Sequence, residues 1–168
     1  MVPLFAYLAR CCVGVSFLLS VVWKVRHRLE FEAALPAALR IPGLRRTLRF
    51  VVPAAEMITA GVLLAAARLG TIGAVAGGGL VVVLGSTLLR RDLSAGCGCW
   101  SAARVDRGAL LTRNAILLAL SAASIPVSVQ LSWSMALFSL AAGTLFAFLV
   151  MEIPTIHQYF DELKAAAP

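Results

Sequence analysis

The sequence predicts an all-α integral membrane protein, built as a bundle of transmembrane helices. Hydrophobic residues make up 61% of its 168 residues, whereas soluble domains usually contain about 45–50%. The mean hydropathy is +0.92, and a small soluble core has no room for that much apolar surface. The length suits one domain, so we predict a single transmembrane domain over residues 1–168, with the lipid bilayer as its main partner.

Five apolar segments define the predicted helices in order. Crossing about 30 Å of hydrocarbon takes about 20 residues, and backbone groups in lipid must be satisfied within the segment, which favours helices. The first segment lacks a basic leader and a small-residue cleavage site, so we interpret it as an uncleaved helix rather than a signal peptide. The predicted helices cover about residues 4–23, 50–67, 71–89, 108–125 and 133–153.

Two features leave a four-span topology open. Only the turn Arg68-Leu-Gly-Thr71 separates the second and third segments, and the fourth is short and contains Arg113 and Asn114. The longest connection, between Lys24 and Arg49, has a stretch over residues 31–39 that favours a short interfacial helix.

The distribution of positive charge among the connections predicts the orientation of the chain as a multi-pass protein of the cell membrane. The net charge is +7, but the basic residues lie in connections and not on one helix face, which argues against nucleic-acid binding. With five spans, Arg68 is the only clear loop charge on one side. The positive-inside rule therefore places the N-terminus outside and the connection around Cys97 in the cytoplasm. The basic side holds Lys24, Arg26, Arg28, Arg40, Arg45, Arg46, Arg49, Arg90, Arg91, Arg104, Arg107 and Lys164.

Cys97 and Cys99 are the first candidates for chemistry. They flank Gly98 in the polar connection Ser94-Ala-Gly-Cys-Gly-Cys-Trp-Ser101. A disulfide between thiols one residue apart is strained, and strained, exposed disulfides exchange readily. Neighbouring arginines favour the reactive thiolate. Two incidental cysteines are the alternative; metal binding is a third interpretation, but two thiolates are too few for a structural zinc site, so we predict no metal.

Glu56 and Arg113 are the second candidates. Counted from the basic side, both lie about 8–9 Å inside their helices at 1.5 Å per residue. Ionisable groups in a bilayer usually pair and often mark a functional site, so we predict a buried charge pair that is structural, functional or both. Asn114 could complete its hydrogen bonding. Lys24 could join this cluster, although snorkelling to the interface is the commoner behaviour of a lysine at a helix end.

Three residues near the other end of the first helix carry simpler predictions. Arg10 is expected to snorkel outward at the face opposite Cys97. Cys11 and Cys12 point about 100° apart on a helix, so we interpret them as small apolar core residues. A relay of electrons through them is the alternative.

These residues resemble a known family. The matching residues are Arg10 and Lys24 in the first helix, Pro53-Ala-Ala-Glu56 in the second, Cys97-Gly-Cys-Trp100 and then Arg113-Asn114. In these residues the chain is similar to the methylamine utilisation protein MauE family, within the DoxX-like group of small membrane proteins. Family members commonly have Cys-Gly-Cys-Phe-Gly where this chain has Trp100-Ser101 in place of Phe-Gly. The resemblance implies a DoxX-like four-helix transmembrane bundle, to which this chain adds a fifth, C-terminal helix. It also implies maturation of a disulfide-rich partner beside a thioredoxin-like protein.

Two functions follow from the sequence. In the first, Cys97 and Cys99 cycle between dithiol and disulfide by exchange with a thioredoxin-like protein or a maturing client. Glu56 and Arg113 hold the connection that contains the cysteines or manage protons, and a membrane quinone receives the electrons. In the second, the chain is a non-enzymatic assembly or transport subunit with structural cysteines. The disulfide role implied by the family favours cysteines that face outward, opposite to the side that the charges predict.

Overall fold

The computed structural model describes residues 2–32, 44–65, 70–89, 107–125 and 132–166. Within these ranges there are helices and no strand, so the all-α prediction is confirmed. A turn at His27 separates the first helix from a short helical stretch over residues 28–32. The longer helices are α1 (Val2–Arg26), α2 (Leu44–Ala65), α3 (Gly70–Leu89), α4 (Arg107–Ala123) and α5 (Trp133–Ala166).

Two helices extend well beyond the apolar segments that predicted them. Helix α2 begins at Leu44, so Arg45, Arg46 and Arg49 lie in its first turns and not in the preceding connection. Helix α5 continues through Pro154 to Ala166. Hydropathy marks only the part of a helix that suits lipid, whereas helical hydrogen bonds can continue into the interface.

In the part of the chain that the structure describes, three helices are long and apolar enough to cross a membrane. Their candidate spans are Leu4–Arg26, Thr47–Leu64 and Trp133–Ile153. Within the described residues, α3 and α4 contribute the shorter apolar stretches Thr71–Val83 and Gly108–Ala123, which cover about 20 and 24 Å at 1.5 Å per residue. The chain is therefore a membrane protein, and its five crossings stay a prediction.

Contacts between helices show how the chain alternates in direction. Near the start of α1, Arg10 contacts Leu63 at the end of α2, while Lys24 near the end of α1 contacts Glu56 earlier in α2. The two helices are therefore antiparallel. The same reversal relates α2 to α3 and α3 to α4, through the pairs Leu63–Gly73, Thr59–Gly77, Thr71–Ile125 and Leu118–Gly78.

Helix α5 runs parallel to α1. Its Gly143 lies against Cys11, and Met151, two turns later, lines the same cavity as Ser16 and Ser20. The end of α1, the start of α2, the end of α3 and the start of α4 therefore share one end of the bundle, which we call the basic end.

Helix α1 is the axis of the bundle. In its candidate span 67% of the residues are buried, against 22% in α2 and 28% in α5, and α1 contacts each of the other four helices. Ala9, Cys12 and Val13 of α1 are fully buried in the core. Apolar side chains such as Ile58 and Phe138 face outward, as lipid requires.

Arg10 does not snorkel, so that prediction is wrong. Its side chain is buried; Nε donates a hydrogen bond to the carbonyl oxygen of Leu63 at 2.5 Å, and Nη2 donates to that of Val62 at 3.4 Å. Carbonyls in the last turn of a helix have no helical N–H partner, and the C-terminal end of a helix attracts a cation. Arg10 therefore caps α2 from within the bundle.

A second polar contact centres on Glu32, which lies outside the candidate spans. Glu32 accepts hydrogen bonds from Arg28 Nε at 2.8 Å and Arg49 Nη1 at 3.2 Å. The hydrogen bond from Arg28, with the charges of both arginines, holds the pKa of Glu32 below its usual range. This contact joins the stretch after α1 to the first turns of α2.

Gly143 allows α1 and α5 to approach closely. A Cβ at this position would lie 2.7 Å from Cys11 Cβ, 3.1 Å from the Cys12 backbone nitrogen and 3.2 Å from the Leu8 carbonyl oxygen. Because two of these atoms are backbone, a side chain here would force the helices apart.

We therefore expect Gly143→Ala to lower the free energy of unfolding by about 1–3 kcal/mol, as overpacking does. Reversible unfolding of the purified protein in mild detergent measures this. Gly61→Ala and Gly79→Ala are matched controls, since no packed neighbour lies within 4 Å of a Cβ at either position. Equal losses in all three variants would contradict the close α1–α5 contact.

Candidate functional site

A row of polar residues on α1 begins the candidate site. Ser16, Ser20 and Lys24 are spaced four residues apart and are all buried, as residues that share one helix face can be. Ser16 donates its hydroxyl to the carbonyl oxygen of Cys12 at 2.8 Å, within its own helix. We did not predict the two serines from the sequence, although the four-residue spacing up to Lys24 was a signal that could have revealed them.

Lys24 binds Glu56 across the interface of α1 and α2. Its ammonium donates to Oε2 of Glu56 at 2.6 Å, contacts Oε1 more closely, and donates to Ser20 Oγ at 2.8 Å. Ser20 in turn donates to Glu56 Oε1 at 3.4 Å. Both ionic side chains are 1% exposed, so the expectation that Lys24 snorkels is wrong.

An aromatic ring closes the Lys24 side of this pair. The ring centroid of Phe31, in the stretch after α1, lies 5.6 Å from the Lys24 ammonium. A cation over an aromatic face is attracted to the ring, and more strongly where water is excluded. The Phe31 ring and the Glu56 carboxylate together stabilise the Lys24 ammonium in a buried position.

Arg113 enters the same region from α4. It is 5% exposed, and within the described part of the chain its Nε and Nη1 atoms have no hydrogen-bond partner. The next residue, Asn114, is half-buried beside it. Arg113 lies six residues after the first residue of α4, about 9 Å inside the bundle at 1.5 Å per residue.

These groups surround a cavity of about 40 Å³. The structure brings Glu56, Arg113 and Asn114 together around it, with Lys24 held on Glu56. The pairing of Glu56 directly with Arg113 stays a prediction, because the ion pair described at Glu56 is the one with Lys24. The lining residues are Val13, Ser16, Phe17, Ser20, Glu56, Val81, Arg113, Asn114, Leu117 and Met151.

Cys97 and Cys99 lie outside the described residues. The segment that contains them connects the end of α3 at Leu89 to the start of α4 at Arg107. Both of these helix ends belong to the basic end of the bundle, where Lys24 also lies. The cysteine segment therefore leaves and rejoins the bundle at the end nearest the polar cluster.

Cys11 and Cys12 belong to a different part of the molecule. Both are buried free thiols, 4% and 0% exposed, in the wall where α1 meets α5. Their burial is what the interpretation as apolar core residues requires. Among the described residues, no group of three His, Cys, Asp or Glu side chains could hold a metal ion.

We expect Lys24→Met to lower the free energy of unfolding by about 3–5 kcal/mol, because it leaves the Glu56 carboxylate in a low-dielectric site without its ammonium. Lys24→Met with Glu56→Gln should recover a large part of this loss. Unfolding of the four members of this double-mutant cycle in detergent measures the coupling, and additive losses would contradict it. Arg28→Met removes a cation from an ion pair in which Arg28 is 59% exposed, so this control should cost about 1 kcal/mol or less.

Comparison with known proteins supplies the family. The family model described as "Methylamine utilisation protein MauE" matches residues 2–129, which include α1 to α4 and every residue of the polar cluster. No curated protein and no solved structure matches the chain. The match covers most of the chain, so the protein belongs to the MauE family of methylamine utilisation proteins.

Proposed function

We propose that the protein is a membrane component of thiol–disulfide exchange that supports the maturation of a partner protein. The observation that carries this proposal is the buried cluster of Lys24, Glu56 and Arg113 at the basic end, where the segment with Cys97 and Cys99 joins the bundle. Membership of a family of methylamine utilisation membrane proteins is compatible with it. The resemblance adds a thioredoxin-like protein or a maturing client as the partner.

The proposed reaction exchanges one disulfide for another. One thiolate of the Cys97–Cys99 pair attacks a disulfide sulfur of the partner, forms a mixed disulfide and releases a partner thiolate, which takes up a proton. The second cysteine loses its proton and attacks the mixed disulfide, so the partner leaves as a dithiol and a Cys97–Cys99 disulfide forms. The reverse direction oxidises a client dithiol and leaves Cys97 and Cys99 as a dithiol. A membrane quinone would reoxidise this pair to the disulfide by accepting its two electrons and two protons.

The polar cluster suits an accompanying role near this chemistry. Exchange depends on the thiolate, and a positive environment favours thiolate over thiol. Lys24, Glu56 and Arg113 together carry one net positive charge and are buried inside the bundle. In this proposal Glu56 and Arg113 hold the cysteine segment or manage protons, and Asn114 and Lys24 orient them.

The proposal also includes the finer topology. Five crossings of alternating direction agree with the antiparallel order of α1 to α4 and with α5 running parallel to α1. We therefore propose a DoxX-like four-helix core with α5 as a fifth crossing. The charge distribution favours a multi-pass protein of the cell membrane, with the N-terminus outside and the cysteine segment in the cytoplasm.

A non-enzymatic assembly or transport subunit is the second candidate. The observation that favours it is the short, fully buried Lys24–Glu56 contact, which can clamp α1 to α2 without taking part in any reaction. In that case Cys97 and Cys99 contribute to stability alone.

Trapping a mixed disulfide separates the two functions. In cells, Cys97→Ser and Cys99→Ser each leave one thiol that cannot resolve, so at least one variant should accumulate a covalent adduct with a partner, visible on a non-reducing gel. The double variant should lose the adduct, because no thiol of the pair remains.

As controls, Cys11→Ser and Cys12→Ser are each added to the variant that traps the adduct. They change only buried core thiols and should leave the trapped adduct intact. An adduct that persists in the double variant would overturn the exchange function. If Cys99→Ser lowers the stability of the protein while every partner keeps its disulfides, the result would support the function as an assembly subunit instead.

Sidedness has its own test in intact cells. In the Cys11→Ser/Cys12→Ser background, an impermeant maleimide should label Cys97 and Cys99 only after permeabilisation, because the positive-inside rule places them in the cytoplasm. A cysteine inserted before Val2 should show the opposite pattern. Labelling of Cys97 and Cys99 in intact cells would reverse the orientation and favour exchange outside the cytoplasm.

A further inference from the structure

We propose that the cavity beside Arg113 is a binding site for a small monovalent anion. The inference does not depend on the thiol–disulfide function, and it begins from Arg113 itself. Its side chain lies in the bundle at 5% exposure, it lines the cavity, and its Nε and Nη1 atoms have no hydrogen-bond partner within the described part of the chain. Buried polar groups are normally satisfied, so two such atoms on one charged group indicate an unfilled position.

The balance of charge around the cavity favours an anion over water alone. Lys24 and Glu56 carry opposite charges and are in contact, whereas Arg113 adds a second positive charge. A guanidinium stays protonated in proteins, so it cannot become neutral when it is buried. Water can fill the hydrogen-bonding positions of Arg113. An anion also balances the positive charge that the described side chains leave at the cavity, in a medium where unbalanced charge is costly.

The size of the cavity limits the ligand. A water molecule needs about 10–15 Å³ of such a cavity, so about 40 Å³ takes roughly three water-sized atoms. An engineered cavity that binds benzene has a volume of roughly 150 Å³, so this cavity is much smaller than one known to take a six-membered ring. An anion of about three heavy atoms, such as formate, fits this limit.

The residues that line the cavity suit such an anion. The guanidinium offers parallel N–H donors that match the two oxygens of a carboxylate, and Asn114 also lines the cavity. The Glu56 carboxylate also lines the cavity, where it is held by the Lys24 ammonium. The apolar part of the wall includes Val13, Val81 and Leu117. A planar oxyanion with one small apolar edge therefore fits the cavity better than a fully hydrated anion such as sulfate.

Of the two ends of α4, the one at the basic end lies nearer to Arg113. Arg113 lies about 9 Å from the start of α4, and Arg26 and Arg49 lie at that end of the bundle. Positive charges around an opening raise the local concentration of anions. The ligand would therefore arrive from the aqueous phase at the basic end and not from the lipid.

Thermal unfolding of the full chain in nanodiscs of zwitterionic lipid tests the site. Sodium formate is titrated against sodium gluconate at constant ionic strength, because gluconate is too large for the cavity. A saturable rise in the melting temperature is expected with formate, since ligand that binds only the folded state stabilises it. No rise, or a rise with formate and gluconate alike, would overturn the proposal.

Two variants and a matched control tie the effect to Arg113. Arg113→Lys keeps the charge but loses the paired donors, and it should weaken formate binding by at least about tenfold, the range of a lost hydrogen bond to a charged group. Arg113→Met should abolish saturation. Arg28→Met removes an exposed arginine of the basic end and should leave the affinity within about twofold.

If Arg113→Met fails to fold, the comparison of Arg113→Lys with Arg28→Met decides the question. Formate affinity unchanged in Arg113→Lys would place the anion elsewhere and overturn the assignment. Failure of the mixed-disulfide experiment would leave this result unaffected, because the titration uses no cysteine chemistry.

Discussion

The contact between Lys24 and Glu56 determines how the first two helices face each other. In lipid no water can satisfy a charged side chain, so each must find its partner within the protein. With Lys24 at one end and Arg10 at the other, α1 is joined to α2 by polar contacts at both ends. A rotation of either helix would expose these groups to hydrocarbon, which fixes the relative orientation of the pair far more narrowly than apolar packing does.

The central position of α1 follows from its composition. Its polar row of Ser16, Ser20 and Lys24 and its small residues cannot all face lipid, so α1 must be covered on most sides. The other helices supply that cover and expose apolar faces outward, as Ile58 and Phe138 do. Close approach of α5 depends on the missing side chain at Gly143, since lipid offers helices no hydrophobic drive to associate and small residues gain packing instead.

The polar interior and the cysteine segment would have different roles in different places. Exchange at Cys97 and Cys99 would belong to an aqueous surface, whereas Glu56 and Arg113 lie inside the bundle around a small cavity. The excess positive charge there would affect any thiolate nearby, and an anion in the cavity would weaken that effect. Thiol–disulfide exchange and anion binding would therefore both depend on the net charge at the basic end of the bundle.

The sequence by itself determined the helical class and the membrane environment, because these depend on hydropathy and on the hydrogen bonds that a backbone must make within lipid. It did not determine the depth of Glu56, because α2 begins at Leu44, twelve residues before Glu56. The resemblance seen in Arg10, Lys24, Glu56 and Arg113-Asn114 identified the family, which the family model confirms. Only the tertiary structure decided the partners: Lys24 for Glu56, and the carbonyl oxygens of α2 for Arg10. Which side chains meet depends on how each helix is rotated about its axis, and that rotation is set by the packing of all five helices together, which no single segment encodes.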